Sequence, residues 1–299
     1  MSSTPLSPNV LGSVYMAIGS LGYVVNDALI RAATDEGLDV YQSLFLRGLA
    51  MTALFAVAGE INGQRLTRER VRRPLFIRVI AELGATALFF AALVRMPFAN
   101  AQTILMLVPF AVTVMAAVHL GERVSPQQYA AVIIGFAGVL VVVRPATDSF
   151  SWWSLAVAAS AALMVVRELA TRQVDRSTPA LPIALLTAAG LTALTGAISL
   201  FTGWGDMTRR SLVLVALACA CLVVGYVFTI ETVRVGDLSV SAPFRYTTLI
   251  GAVAIGAVFF DEVPDLITLA GCLVIVLAGV ASIRMERQTR ILTPPVPQL

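Results

Sequence analysis

The second half of this chain restates the first at a constant offset of 140 positions. Thr52-Ala53-Leu54 returns as Thr192-Ala193-Leu194, Ala117-Val118 as Ala257-Val258, and Glu122 as Glu262. Ser20, Leu29 and Asp35 return as Ser160, Leu169 and Asp175. One such match means little in an apolar chain, but a register held over most of the length constrains the fold before any residue is read for chemistry. A helix needs about 20 apolar residues to cross a bilayer, and each half holds five such runs. The ten fall near 11–31, 41–59, 75–95, 98–119, 127–144, 152–172, 181–203, 211–233, 238–260 and 265–284. An odd number of spans per copy makes the second copy enter the membrane from the opposite side. The expected fold is therefore all-α and integral to the membrane, with ten transmembrane helices forming two inverted five-helix repeats at 1–146 and 147–287. A disordered cytoplasmic tail is expected at 288–299, where Pro294, Pro295 and Pro297 cluster. Inverted repeats are common in secondary transporters, with a site near the midplane where the copies meet.

Composition agrees with the membrane class. Hydrophobic residues make up 58% and charged residues 13%, so the polar skin of a soluble domain is missing. Met1 to Asn9 carries no basic segment, so the first apolar run reads as a mature span and not a signal peptide. The formal charge of +3 comes from arginine, because the chain has no lysine, which excludes Schiff-base and lysine-nucleophile chemistry. That charge reads as topological, and no nucleic-acid partner is expected. Cys219, Cys221 and Cys272 lie in apolar runs, and His119 is the sole histidine, so no metal or other cofactor is expected. No Walker motif points to ATP. The expected partners are a small-molecule substrate and membrane lipid, with the chain a monomer or a weak dimer.

Orientation follows from arginine. Arg65, Arg68, Arg70, Arg72 and Arg73 fall between spans two and three, Arg172 and Arg176 after span six, and Arg284, Arg287 and Arg290 in the tail. With ten spans these segments share one side. Both termini are expected in the cytoplasm, with the protein in the inner membrane. Trp152, Trp153 and Trp204 then fall at the outer interface, where aromatic belts form.

Charged groups inside spans are costly and normally face a cavity or a partner. Asp27 lies about 6 Å from the outer end of span one and Arg47 about 9 Å from the outer end of span two. They either tie the two helices together or contact substrate, with Asn26 adding a polar group beside them. Glu82 in span three and Arg245 in span nine lie at similar depths from the cytoplasmic side and come from opposite copies. Glu82 can hold a proton, Arg245 can bind a carboxylate or phosphate through its planar fork, or the two can neutralise each other. Arg167 and Glu168 near the end of span six read as interfacial or structural. Pro109 and Pro243 interrupt spans four and nine but are not at the same repeat position. Around them lie Asn100, Gln102, Thr103, Tyr246 and Thr247. The expected substrate-binding set is Asn26, Asp27, Arg47, Glu82, Asn100, Gln102, Arg245 and Tyr246.

These residues resemble a known group. Asn26-Asp27-Ala28-Leu29 and Leu46-Arg47-Gly48 resemble the first two spans of EamA-type proteins of the drug/metabolite transporter superfamily. His119-Leu120-Gly121-Glu122-Arg123 with Gly135-Phe136-Ala137-Gly138-Val139 resembles their fourth-to-fifth span junction. Arg167-Glu168-Leu169-Ala170-Thr171-Arg172 resembles their sixth span, and Gly236-Asp237 through Tyr246 with Asp261-Glu262 their ninth. The second copy departs from the usual Gly-Glu at Asp261-Glu262. The resemblance implies ten helices, both termini inside, and a cavity lined by spans one to four and six to nine, with spans five and ten peripheral. One histidine, scattered cysteines and no metal-binding cluster argue against an intramembrane enzyme, and a membrane scaffold would need neither a repeat nor a buried Glu82 and Arg245. The resemblance implies a secondary transporter of a small polar metabolite working by alternating access, with or without proton coupling. Amino-acid exporters, riboflavin importers and S-adenosylmethionine importers share these motifs.

Overall fold

The computed structural model of the protein describes residues 7–64, 72–120, 124–144, 151–175, 178–235 and 238–292. Among them the elements are helical: α1 (Pro8–Asp35), α2 (Val40–Ile61), α3 (Arg73–Leu93), α4 (Phe98–Leu105), α5 (Leu107–Leu120), α6 (Pro126–Val143), α7 (Trp153–Arg172), α8 (Ala180–Thr202), α9 (Arg209–Val235), α10 (Leu238–Ser241), α11 (Thr247–Phe259) and α12 (Leu266–Leu292). A 3₁₀ segment, Ala242–Tyr246, joins α10 to α11. Ten stretches of the described residues are long and apolar enough to cross a membrane, α4 with α5 forming one of them. The offset of 140 carries into the elements: it moves the start of α2 onto that of α8, α5 onto α11, and α6 onto α12.

Local chemistry sets several boundaries. Asp39 caps α2, accepting from the amides of Tyr41 and Gln42, while the Gln42 side chain reaches back to complete a capping box. Ser125 does the same for α6 with Gln128, and Pro126 supplies the preset φ of a first turn. The helical backbone of α12 runs to Leu292, so 288–292 depart from the disordered tail expected there. Residues 293–299 lie outside the described residues, as do Arg65, Arg68, Arg70, Glu122, Arg123, Arg176, Gly236 and Asp237.

The chain divides into two compact units, and each draws on both halves of the sequence. The first holds Met1–Val24, Phe98–Phe150 and Leu222–Leu299, and the second Val25–Pro97 and Ser151–Cys221. In the second unit α2 packs along α8, and α3 packs on α7 and α8. Leu75, Val79 and Leu83 of α3 form a buried row against Ile183, Leu186, Leu191 and Leu194. The α2–α8 pair is antiparallel. Gln42 at the start of α2 accepts from the Gly205 amide beyond the end of α8 at 2.9 Å, and the hydroxyls of Thr52 and Thr192 meet at 3.2 Å mid-helix. Thr52 and Thr192 are register equivalents, so the helix pair contacts itself in the manner of a two-fold interface. Gly48 makes this approach possible, because a Cβ there would lie 2.4 Å from the Thr192 hydroxyl. At Gly205 a Cβ would lie 1.9 Å from the carbonyl oxygen of Gly37.

In the first unit the register-equivalent helices α6 and α12 also pack together, and α4 packs on α11. They too are antiparallel. Gly138 of α6 abuts Ile275 and the Gly271 carbonyl of α12, and Arg144 at the end of α6 pairs with Asp265 at the start of α12. Gly19 on the first part of α1 meets Thr229 of α9, and Tyr15 stacks edge-on with Phe228. Antiparallel contact between equivalent helices is the geometry an inverted repeat requires.

Candidate functional site

Asn26, Asp27, Arg47 and Glu82 fall in the second unit, and Asn100, Gln102, Arg245 and Tyr246 in the first. The strongest polar cluster is built on α1, α2 and α3 of the second unit. The guanidinium of Arg47, 5% exposed, donates to the Asn26 side-chain carbonyl at 3.2 Å and lies 4.9 Å from the centre of the Phe90 ring. Asn26 in turn donates to the Asp27 carboxylate at 2.9 Å. Asn26 therefore links the two charged residues that the sequence marked for pairing. The Phe90 ring and the Asn26 amide supply part of what a buried guanidinium loses on leaving water.

Glu82 finds its charge partner within the same unit. Arg167 of α7 donates to the Glu82 carboxylate at 2.8 Å and to Glu168 at 2.9 Å, so one guanidinium serves two carboxylates. One turn earlier on α3, Arg78 donates to the Thr187 hydroxyl at 3.0 Å. The sequence had set Arg167 aside as interfacial and had weighed Arg245 as the neutralising partner of Glu82. The signal available was depth alone, and depth does not say which face of a helix a side chain occupies.

In the first unit, Gln102 is 2% exposed and Thr103 is fully buried, its hydroxyl 3.6 Å from the Cys272 sulfur. Asn100 is half-buried, and Arg245 is exposed on the 3₁₀ segment. Tyr246 is 4% exposed, and its ring fills the space beside Gly279 of α12, where a Cβ would come within 2.0 Å of it. That contact gives Tyr246 a packing role.

Glu262 has a role the sequence did not reveal. Its carboxylate accepts from the Phe98 amide at 2.6 Å and so caps the first turn of α4, where an acid also complements the helix dipole. Asp261 before it has φ of 53°, in the left-handed region. Glycine takes this conformation freely and aspartate is among the few other residues that tolerate it, so Asp261 can stand where the first copy has Gly121. The repeat of Glu122 at Glu262 was the available signal.

The two copies share contact residues and differ in charge. Thr52 and Thr192 touch each other, and Ser160, the equivalent of Ser20, donates to the Ala85 carbonyl at 2.7 Å. By contrast the equivalents of Asn26, Asp27, Arg47 and Arg245 are Val166, Arg167, Thr187 and Leu105. Two cavities, of about 480 and 600 Å³, open beside the α2–α8 contact, one against Phe45, Thr52 and Trp204 and the other against Glu60, Gln64 and Pro182. Neither is lined by the Arg47 or Glu82 clusters. Among the described residues no group of three or more His, Cys, Asp or Glu is placed to hold a metal ion.

Residues 10–144 match the EamA-like transporter family. A pseudopaline exporter, CntI, of Pseudomonas aeruginosa is 27% identical over 282 residues, spanning 92% of this chain and 97% of the exporter. A riboflavin transporter of Rhizobium johnstonii is 29% identical over 208 residues, 70% of this chain and 68% of that protein. An S-adenosylmethionine uptake transporter of Rickettsia prowazekii is 22% identical over 193 residues, 64% of this chain and 65% of that protein. A solved crystal structure, 21% identical, superposes with a TM-score of 0.64 over 95% of this chain and 99% of its own, which supports the fold. An EamA domain over residues 10–144 and relatives named as metabolite transporters support a transporter role for this multi-pass membrane protein.

Proposed function

We propose that the protein is a secondary transporter that carries a small polar metabolite across the inner membrane by alternating access between two inverted repeats, with both termini cytoplasmic. The substrate class is an amino acid or amino-acid derivative, or a riboflavin-like or S-adenosylmethionine-like compound, as the relatives' names suggest. The observation that carries this reading is the unequal charge of the two copies. Contact residues such as Thr52 and Thr192 are duplicated, whereas Asn26, Asp27 and Arg47 are replaced at the equivalent positions by Val166, Arg167 and Thr187. A scaffold needs symmetric packing, and an asymmetric cargo needs an asymmetric polar set.

In this reading the buried Arg47–Asn26–Asp27 cluster and the exposed Arg245 contact the substrate, Arg245 through an anionic group. Asn100 and Gln102 add neutral hydrogen-bonding groups. Glu82, charge-paired with Arg167, is the gating or coupling carboxyl. The test is flux in proteoliposomes containing the purified protein, with labelled amino acids, riboflavin and S-adenosylmethionine, with and without an imposed pH gradient. Saturable movement of one class supports the reading, and a response to the gradient supports proton coupling. Movement of that class unaffected by the gradient identifies a facilitative exporter or exchanger. No protein-dependent flux of any of them counts against the reading.

A further inference from the structure

Spans four and nine are both interrupted, at the same position in the repeat. Span four is helical to Leu105, turns at Met106 and resumes at Leu107. Span nine passes through the 3₁₀ segment ending at Tyr246 and resumes at Thr247. Adding 140 to 106 and 107 gives 246 and 247. The prolines responsible are not equivalent: the partner of Pro109 is Leu249, and that of Pro243 is Thr103. Each reaches the common point by a different route. Pro109 has no N–H for the carbonyl of Leu105 four residues earlier, and its ring crowds that carbonyl, so α4 stops there. The Met106 amide bonds back to the Thr103 carbonyl, at 3.0 Å. Pro243 opens the 3₁₀ segment, and the Thr247 amide closes it on the carbonyls of Phe244 and Arg245.

Two unrelated prolines that break the repeat at one register position indicate that the break itself is needed in both copies. The segments around the breaks are short and separately held. α4 is capped at its far end by Glu262, and Thr103 lies against Cys272. Tyr246 is seated on Gly279. We propose that Met106 and Tyr246 are matched joints, at which the segments of spans four and nine bend during the transport cycle. This rests on the transporter reading above.

Pro109→Ala and Pro243→Ala return the missing donors. Hydrogen–deuterium exchange of the full chain in lipid nanodiscs reads the joints without a substrate. Amides at 102–110 and 242–248 are expected to exchange at least about tenfold faster than those at 112–118 and 250–256. Each replacement should remove the difference at its own joint and leave the other unchanged. Uniform protection through both spans, or exchange unaltered by the replacements, overturns the proposal. In the proteoliposome assay each straightened variant should lose at least about tenfold in turnover while binding the transported metabolite as the unmodified protein does; unimpaired flux overturns the proposal. If the unmodified protein moves none of the metabolites, it is the transport reading that fails, and the exchange pattern alone still decides the joints.

Discussion

Because Arg167 serves two carboxylates, removing it and removing Glu82 should not be equivalent. Glu82→Gln leaves Arg167 paired with Glu168 at 2.9 Å, so no charge is orphaned. Arg167→Gln leaves Glu82 and Glu168 without the guanidinium they share. The Arg167 and Glu82 side chains are 24% and 19% exposed, between the surface and fully buried cases. Surface pairs contribute about 0–1 kcal/mol, and orphaning one partner of a buried pair costs about 3–5 kcal/mol. The expected losses are about 1 kcal/mol for Glu82→Gln and about 3 kcal/mol for Arg167→Gln. The double variant removes one of the two orphaned carboxylates, so it should lose about 2 kcal/mol, where additivity gives about 4 kcal/mol. The coupling of about 2 kcal/mol is read by reversible unfolding in mixed micelles. Equal losses in the single variants, or strict additivity, would refute the shared-guanidinium reasoning.

Other outcomes follow from single contacts. Asp261→Gly should be neutral or slightly stabilising, and Asp261→Val should lose about 1–2 kcal/mol, because a β-branched residue resists φ of 53°; thermal unfolding of both variants checks this. Arg245→Lys keeps the charge but loses the planar fork, so flux should fall; normal flux by a folded Arg245→Ala variant would take the residue out of the site. If Glu82 carries the coupled proton, Glu82→Gln should assemble yet lose the pH dependence of flux, and unchanged pH dependence excludes it. Hydrogen bonds from Arg144 hold the Asp265 carboxyl well below the ordinary carboxylate range. Its contribution to stability is therefore present above the ordinary value of 3.8 and lost as pH falls below it, so wild type and Asp265→Asn should differ at neutral pH and converge in acid.

The ten spans and their register were legible because hydrophobic run length and internal self-similarity are one-dimensional signals. The α2–α8 contact was half-legible. Thr52 and Thr192 were visible as a repeat, but nothing in the sequence said that equivalents would touch. The partner of Glu82 was not legible, because depth along an apolar helix leaves its rotation open. The matched joints were hidden for a physical reason. A proline acts four residues upstream through a missing hydrogen bond, or forward through a 3₁₀ turn, so Pro109 and Pro243 look unrelated until the backbone is traced. Tyr246 was legible as a polar residue in a span, but its seat on Gly279 of α12 was not, because that contact joins residues distant in the chain.

The central claim is that one scaffold occurs twice in opposite orientations, with different charges set into each copy. Reporter fusions at Gln64 and Gly205 test it most directly, because these residues follow the register-equivalent helices α2 and α8. The account predicts that Gln64 reports the cytoplasm and Gly205 the opposite side. Both reporters on the same side would contradict it.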